Sequence, residues 1–134
     1  MMLPHGALVA VADGMTFKLF RNRGTEPELD LVEFAHPAVK PANPGSGLRH
    51  RSESSNPDAH RKAEDGFAAA TASQLNHLAL DGTIERLFVV ADPRTLGELR
   101  KHFHGTLHAK IVGELAKDLT DHSVQDIAMA IRHA

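Results

Sequence analysis

The residues best suited to chemistry lie in and just beyond a long connecting segment, residues 36–57, which reads HPAVKPANPGSGLRHRSESSNP. The basic side chains of this region are Lys40, Arg49, Arg51, Arg61 and Lys62. Lysine and arginine are the side chains that neutralise the phosphates of a nucleic acid. A basic segment on a small scaffold therefore predicts contact with an anionic partner, and we interpret these five residues as a binding surface.

The composition of residues 36–57 predicts a flexible loop rather than a helix or a strand. Pro, Gly, Ser and Asn dominate it, and it lacks the apolar surface that would offset the entropy of ordering. Connections of this length inside one small domain are uncommon, and they are usually functional or disordered. One interpretation is a loop that orders on an RNA partner; the other is a solvated insertion whose charges only aid solubility.

Two further residues extend the candidate binding surface. His60 falls in the first turn of the helix predicted after the loop, where it would face the loop. Arg94 follows a predicted buried strand and stands at a helix N-terminus, a position favourable to anions. The alternative for His60 is a half-buried helix residue, and for Arg94 a merely solvated side chain.

Two carboxylates could support hydrolytic chemistry. Asp13 and Asp92 each follow a predicted buried strand, and parallel neighbouring strands would bring both to one edge of the sheet. Metal ions held there would suit a phosphodiesterase. Turn chemistry explains both residues equally, because Asp13 opens an Asp-Gly pair and Asp92 precedes a proline. No third acidic ligand is aligned with them, so we assign no metal site and no catalytic residue.

Histidine is abundant, with ten residues in 134, and His102, His104 and His108 lie close together. The helical zinc-protease pattern needs a glutamate directly after its first histidine, and Gly105 stands at that position. No cysteine is present to complete a common structural zinc site. We predict surface or capping histidines near a helix C-terminus, with a charge sensitive to mild acid and no cofactor.

Composition narrows the class of protein. Without cysteine there is no disulfide framework and no thiolate nucleophile. Neither a Walker phosphate-binding pattern nor a Gly-x-Ser-x-Gly elbow occurs. The formal net charge is −2, so basic character is local, unlike that of a dedicated nucleic-acid binder. No stretch reaches the length of a membrane span, and no signal peptide is evident. The sequence predicts one domain over residues 1–134, soluble and cytoplasmic.

Hydrophobic patterns predict three strands in residues 6–35, with a type I′ turn at Asp13-Gly14. A long helix follows from Pro57 to about Leu80, with Ala63, Phe67, Thr71, Leu75 and Leu78 on its buried face. A buried strand over residues 86–92 precedes a helix opened by a capping box of Thr95 and Glu98. A short helical turn and a strand near 111–115 come next, and Ser123 caps a final helix with Val124, Ile127, Ala128 and Ile131 inward.

The predicted order of elements is β-β-β-α-β-α-β-α. Three strands followed by helical crossovers indicate an α/β fold, in which one mixed sheet carries helices packed on it.

Four segments carry a resemblance to a known family: PHGALVAVADG, HRKAEDGFAAATASQLN, ERLFVVADPRTLGELR and VGELAKDLTDHSVQDI. Together they cover nearly the whole chain outside the loop. The sequence resembles the family of proteins required for attachment to host cells, which is related to the bacterial archaeo-eukaryotic release-factor-like proteins.

The resemblance implies the fold of the middle domain of archaeal and eukaryotic release factors, akin to the layer order of ribonuclease H. In release factors the loop between the third strand and the long helix carries Gly-Gly-Gln. Here that loop offers Pro44-Gly45-Ser46-Gly47-Leu48 and no glutamine. The departure argues against peptidyl-tRNA hydrolysis by the release-factor mechanism. We therefore expect a non-enzymatic module contacting RNA or the ribosome, with a hydrolase or a protein-interaction module as alternatives.

Overall fold

A single mixed sheet organises the chain in the computed structural model, which describes residues 2–25, 28–39 and 57–134. The strands are β1 (Leu8–Ala12), β2 (Phe17–Asn22), β3 (Leu31–Glu33), β4 (Leu87–Ala91) and β5 (Ile111–Ala116). The helices are α1 (Pro57–Leu80), α2 (Pro93–His102), α3 (Gly105–His108) and α4 (Val124–Arg132). The predicted α/β class and order are confirmed, with α3 as the short helical turn before β5.

The strand order across the sheet is β3-β2-β1-β4-β5. β1 pairs antiparallel with β2 and parallel with β4, which in turn pairs parallel with β5. β1 and β4 run side by side without a register shift, from the Leu8–Leu87 pair to the Ala12–Ala91 pair. A strand enclosed by neighbours and covered on both faces must be apolar throughout, which is why both read as continuous hydrophobic runs.

Side chains pack into two cores, one on each face of the sheet. The α1-side core, beneath α1, α2 and α3, includes Leu8, Ala10, Leu19, Leu75, Val89, Leu99 and Leu107. The α4-side core, beneath α4 and the amino-terminal segment, includes Leu3, Val9, Phe20, Phe88, Ile127 and Ile131. Alternate residues of each central strand therefore enter opposite cores, as a pleated strand requires.

The buried face of α1 differs in part from the prediction. Thr71 and Leu75 are buried as predicted, and Phe67 and Leu78 are half-buried, but Ala63 is exposed. Alanines at 68, 72 and 79 complete the buried stripe instead. Their small side chains let this 24-residue helix lie close to the sheet.

The predicted start of α4 is confirmed in part. Ser123 caps α4 as predicted, and its hydroxyl accepts a hydrogen bond from the Asp126 N–H at 3.1 Å. Val124, the first residue of α4, was predicted to face inward and is instead 36% exposed. The buried stripe of α4 begins one turn later, at Ile127.

The predicted capping box of Thr95 and Glu98 is wrong. The cap lies three residues earlier than predicted: Asp92 caps α2, which begins at Pro93, by accepting the Thr95 N–H at 3.1 Å. An aspartate followed by proline at the first helical position is a strong helix start in its own right. Glu98 pairs with Lys101 instead, at 2.7 Å.

The first residues after β3 pack against α1. The His36 ring lies 4.7 Å from the Phe17 ring, centroid to centroid. The Gln74 side chain of α1 donates to the Pro37 carbonyl at 2.9 Å. Residues 36–39 of the predicted loop are thus neither helix nor strand, and they follow the surface of α1; residues 40–56 lie outside the described part of the chain.

A buried amide joins the amino-terminal segment to the end of β2. Asn22 is fully buried, and its Nδ2 donates to the carbonyls of Leu3 and Pro4 at 3.1 and 3.3 Å. Its Oδ1 accepts from the N–H groups of Gly24 and Asp30, both at 3.0 Å. One side chain therefore bonds to four backbone groups of the irregular segments around it, of which the Pro4 carbonyl also accepts the Ala7 N–H at 3.1 Å.

We predict that Asn22→Ala lowers the free energy of unfolding by at least about 2 kcal/mol, because the backbone groups it satisfies would lose their partners. Urea unfolding followed by circular dichroism measures the change. Gln125→Ala, which removes an exposed amide from α4, is the control and should change stability by less than about 0.5 kcal/mol. Equal effects of the two substitutions would contradict the structural role of Asn22.

Candidate functional site

Three parallel strands end together at the carboxyl edge of the sheet. Ala12, Ala91 and Ala116 are level in the registers of β1, β4 and β5. The chain turns polar directly after each strand, at Asp13, at Asp92 and at Lys117-Asp118. The start of α1 lies at this edge too, because Glu64 of α1 lies against Gly14 and Asp65 pairs with Arg94.

Asp13 organises the turn between β1 and β2. Its Oδ1 accepts the N–H groups of Met15 and Thr16, at 2.8 and 2.6 Å. Its own N–H donates to the Thr16 carbonyl at 2.9 Å, so Gly14 and Met15 occupy the centre of the turn. The predicted type I′ turn is wrong, because positive φ among the described residues occurs only at Gly6 and Gly82. Aspartate at the first position of a turn stabilises it through its side chain instead.

Gly14 is required for close packing of this turn against α1. A Cβ built at position 14 would lie 2.8 Å from Cγ and 3.0 Å from Cβ of Glu64. The structure thus fixes the turn from the α1 side, while Met15 at its tip is 70% exposed.

A threonine fixes the same turn from the opposite side of the sheet. Thr120 is 2% exposed, and its hydroxyl lies 2.8 Å from Asp13 Oδ2 and 2.9 Å from Asp118 Oδ1. A hydroxyl has one proton to donate. The Thr120 N–H already approaches Asp118 at 3.3 Å, which leaves the hydroxyl proton available to Asp13.

Lys18 adds a positive charge to this group of carboxylates. Its ammonium donates to the Thr120 carbonyl at 2.5 Å, across 102 positions of sequence. Lys18 shares its face of β2 with Phe20, which packs in the α4-side core. The contacts among Lys18, Asp13, Asp118 and Thr120 therefore hold the segment between β5 and α4 against the β1–β2 turn.

The carboxylates of the hydrolase hypothesis have local structural partners. Asp13 caps its turn and accepts from Thr120, and Asp92 caps α2. Among the described residues, no group of three or more His, Asp or Glu side chains is arranged to hold a metal ion. The geometry uses both aspartates to position main chain, which is the turn chemistry that the sequence left open as the alternative.

Arg94 has a partner on α1 that sequence reasoning missed. Its guanidinium donates to Asp65 at 2.6 Å and lies 3.8 Å from Glu64. The pair joins the start of α2 to the start of α1, and all three side chains are partly exposed. An anionic ligand of Arg94 would have to compete with both carboxylates.

The remaining described candidates lie in the first turns of α1. His60 is 62% exposed and stands 3.6 Å from Glu64, one turn along the helix. Arg61 and Lys62 are exposed, and neither forms an ion pair or a side-chain hydrogen bond with any described residue. Lys40, Arg49 and Arg51 fall outside the described ranges. The structure therefore brings together His60, Arg61, Lys62 and Arg94 at the carboxyl edge.

The three clustered histidines lie elsewhere. His102, His104 and His108 are exposed, as predicted, and they lie at the end of α2 and in α3, near the opposite edge of the sheet.

A family model described as bacterial archaeo-eukaryotic release factor family 12 matches residues 6–131. The chain belongs to this family. The matched range includes all five strands and all of the helices except the last residue of α4. Comparison with curated proteins finds no match. The resemblance noted in the sequence is thus confirmed as a release-factor-like relationship, and its host-attachment part stays a prediction.

Sequence reasoning missed Asp118, Thr120 and Lys18. The sequence could have indicated Asp118, because it lies just after β5, which ends beside β4. Asp13 follows β1 and Asp92 follows β4 in the same way. The contact of Lys18 with Thr120 carried no signal, because it joins residues that are distant in sequence.

We predict that Thr120→Val lowers the free energy of unfolding by about 1 to 3 kcal/mol, since Asp13 Oδ2 loses its hydrogen-bond donor. Hydrogen exchange should show faster exchange at the Thr120 and His122 amides. Thr120→Ser keeps the hydroxyl and should retain most of the stability. A Thr120→Val protein as stable as the wild type would contradict the role assigned to this hydroxyl.

We predict that Arg94→Ala lowers the free energy of unfolding by no more than about 1 kcal/mol, because the ion pairs are solvent-exposed. Thermal unfolding at low and high salt measures this, and the difference from the wild type should shrink as salt rises. A large loss that persists at high salt would show that Arg94 is a packing residue instead.

Proposed function

We propose that this protein is a non-enzymatic binding module that contacts RNA, including the RNA of the ribosome, through the start of α1 and the loop before it. The observation that carries the proposal is the exposed pair Arg61 and Lys62, which has no ionic partner among the described residues. The nearby carboxylates Glu64 and Asp65 are engaged by His60 and Arg94. Among the side chains that the structure describes, these two carboxylates are therefore paired with other residues, and Arg61 and Lys62 stay exposed.

Several features support RNA as the partner. Membership of a release-factor-like family favours a role in contact with the translation machinery. Lys40, Arg49 and Arg51, which precede α1 in the sequence and lie outside the described residues, would add further phosphate contacts. The exposed Met15, at the tip of the neighbouring turn, supplies an apolar group at the same edge.

The residues at the carboxyl edge favour binding over catalysis. Asp13 caps the β1–β2 turn and Asp92 caps α2. The Thr120 hydroxyl donates to the Asp13 carboxylate and has no histidine among the described residues beside it to activate it as a nucleophile. Residues 36–57 contain no glutamine, so the Gly-Gly-Gln motif of release factors has no counterpart there. These features support recognition of RNA without hydrolysis of peptidyl-tRNA.

The proposal places the protein in the cytoplasm, where a chain without cysteine and with a ribosomal partner would act. No helix in the described part of the chain is long and apolar enough to cross a membrane. We propose that the predicted resemblance to host-attachment proteins reflects a cellular consequence of such binding, not a surface adhesin.

We predict that Arg61→Ala with Lys62→Ala weakens binding to single-stranded RNA and lowers its salt dependence. For every phosphate that the variant no longer neutralises, the slope of log affinity against log salt should fall by about 0.7. Adding Arg49→Ala and Arg51→Ala should reduce the slope further. Fluorescence anisotropy of a labelled oligonucleotide near neutral pH, over a potassium chloride series, measures both quantities.

Arg23→Ala with Arg86→Ala is the matched control, because both arginines are exposed and lie at the opposite edge of the sheet. The control should bind like the wild type. Equal binding by all the variants would contradict the proposed surface. A protein partner captured without salt dependence would favour the protein-interaction alternative.

A further inference from the structure

A continuous set of contacts crosses the carboxyl edge of the sheet, from the segment between β5 and α4 to the start of α1. It begins at Thr120, whose hydroxyl lies 2.8 Å from Oδ2 of Asp13. The other oxygen of Asp13 accepts the N–H groups of Met15 and Thr16. One carboxylate therefore links the segment before α4 to the main chain of the β1–β2 turn, residues 13–16.

Thr120 is itself held at a second point. Its side chain is buried, and its carbonyl accepts a hydrogen bond from the Lys18 ammonium at 2.5 Å. Lys18 belongs to β2, where it pairs with Val11 of the buried strand β1. The threonine is thus tied to the sheet, and it fixes one side of the β1–β2 turn.

The other side of the turn packs directly on α1. A Cβ built on Gly14 would lie 2.8 Å from Cγ, 2.9 Å from Oε2 and 3.0 Å from Cβ of Glu64. Positive φ occurs among the described residues only at Gly6 and Gly82, so the backbone conformation of residue 14 is open to alanine. Close packing against Glu64, rather than backbone conformation, therefore requires a glycine here.

Glu64 connects this contact to the rest of the start of α1. Its Oε2 lies 3.6 Å from Nε2 of His60, and its Oε1 lies 3.8 Å from Nε of Arg94. Arg94 also pairs with Asp65, at 2.6 Å. The Glu64 side chain is 32% exposed, less than that of His60 or Arg94. Arg61 precedes Glu64 by three positions, so the two side chains are neighbours on the helix surface.

We infer that the β1–β2 turn sets the position of the start of α1, and that Thr120 and Gly14 are positioning residues for Arg61 and Lys62. The inference about α1 stands on the contacts alone, whereas its consequence for RNA binding rests on the function proposed above. Neither positioning residue carries a charge. Substituting them therefore tests where the cations lie without changing how many there are.

The first test measures the start of α1 in the full chain without a ligand. Hydrogen exchange followed by NMR should be at least about threefold faster at the amides of residues 62–66 in Gly14→Ala, because the new methyl group displaces Glu64 and local opening becomes easier. Thr120→Val should have the same effect, because Asp13 loses the donor that holds the turn. Thr120→Ser keeps that donor and should restore slow exchange.

Two controls separate this effect from a general loss of stability. Gly97→Ala is the matched glycine substitution, because a Cβ built there meets nothing within 4 Å, and it should not speed exchange at residues 62–66. Residues 72–78, further along α1, are the internal reference. Their exchange should change less than that of residues 62–66 in both Gly14→Ala and Thr120→Val.

Glu64→Ala provides a second check on the contact, because it removes the Cγ and Oε2 atoms that the Gly14→Ala methyl group would meet. The double variant should therefore show a smaller increase in exchange than the product of the two single increases, since residues in contact are not independent. Increases that simply multiply would show that the two positions do not interact, and would overturn the inference.

The second test measures the binding of a labelled oligouridine near neutral pH. Gly14→Ala should weaken binding by at least about twofold, as substitutions do when they act on a site through intervening contacts. In the background of Arg61→Ala with Lys62→Ala, the same substitution should cause no further loss, because the side chains that it displaces are absent.

The two tests fail in different ways. Unchanged exchange at residues 62–66 in both Gly14→Ala and Thr120→Val would overturn the inference, whatever the RNA binding. Faster exchange there, with a wild-type protein that binds no RNA, would support the role of the turn and contradict the function proposed for Arg61 and Lys62. Faster exchange with unweakened RNA binding in Gly14→Ala would overturn the positioning of the two cations by the turn, as would an equal loss of binding with and without them.

Discussion

The parallel pairing of β1 with β4 is the constraint on which the rest of the structure depends. Both strands are buried along their whole length, and each sends alternate side chains into the α1-side and α4-side cores. Their register makes Ala12 level with Ala91, so the chain leaves both strands at the same height. No polar side chain can be placed within these strands without being buried, and polar chemistry is therefore confined to the two edges of the sheet.

The polar side chains of the carboxyl edge have structural roles. At the carboxyl edge, Asp13, Asp92 and Thr120 bond to neighbouring main chain or to one another, and they hold turns, helix starts and the approach to α4 in place. Among the described residues at this edge, Arg61 and Lys62 of α1 are exposed and form no ion pair. The chain thus keeps the fold of a release-factor-like family, although residues 36–57 contain no glutamine.

Strong local patterns made the fold predictable. A few neighbouring residues are enough to recognise the apolar runs of β1 and β4, the periodicity of α1 and the Ser123 cap. Three features escaped prediction because they depend on residues brought together by folding: the Arg94–Asp65 pair, the Gly14–Glu64 contact and the Lys18–Thr120 bond. The prediction of a type I′ turn was wrong because Asp13 stabilises a different turn through its side chain. Of the candidate binding residues, composition predicted the exposed basic start of α1 but not which carboxylates are already engaged.

Co-sedimentation of the purified wild-type protein with bacterial ribosomes and with total RNA, over a potassium chloride series, tests the central claim most directly. The account predicts association at low salt that weakens steeply as salt rises, because phosphate contacts release counterions. It also predicts that the bound RNA stays intact. Absence of association at every salt concentration, or cleavage of the RNA, would contradict a non-enzymatic RNA-binding module.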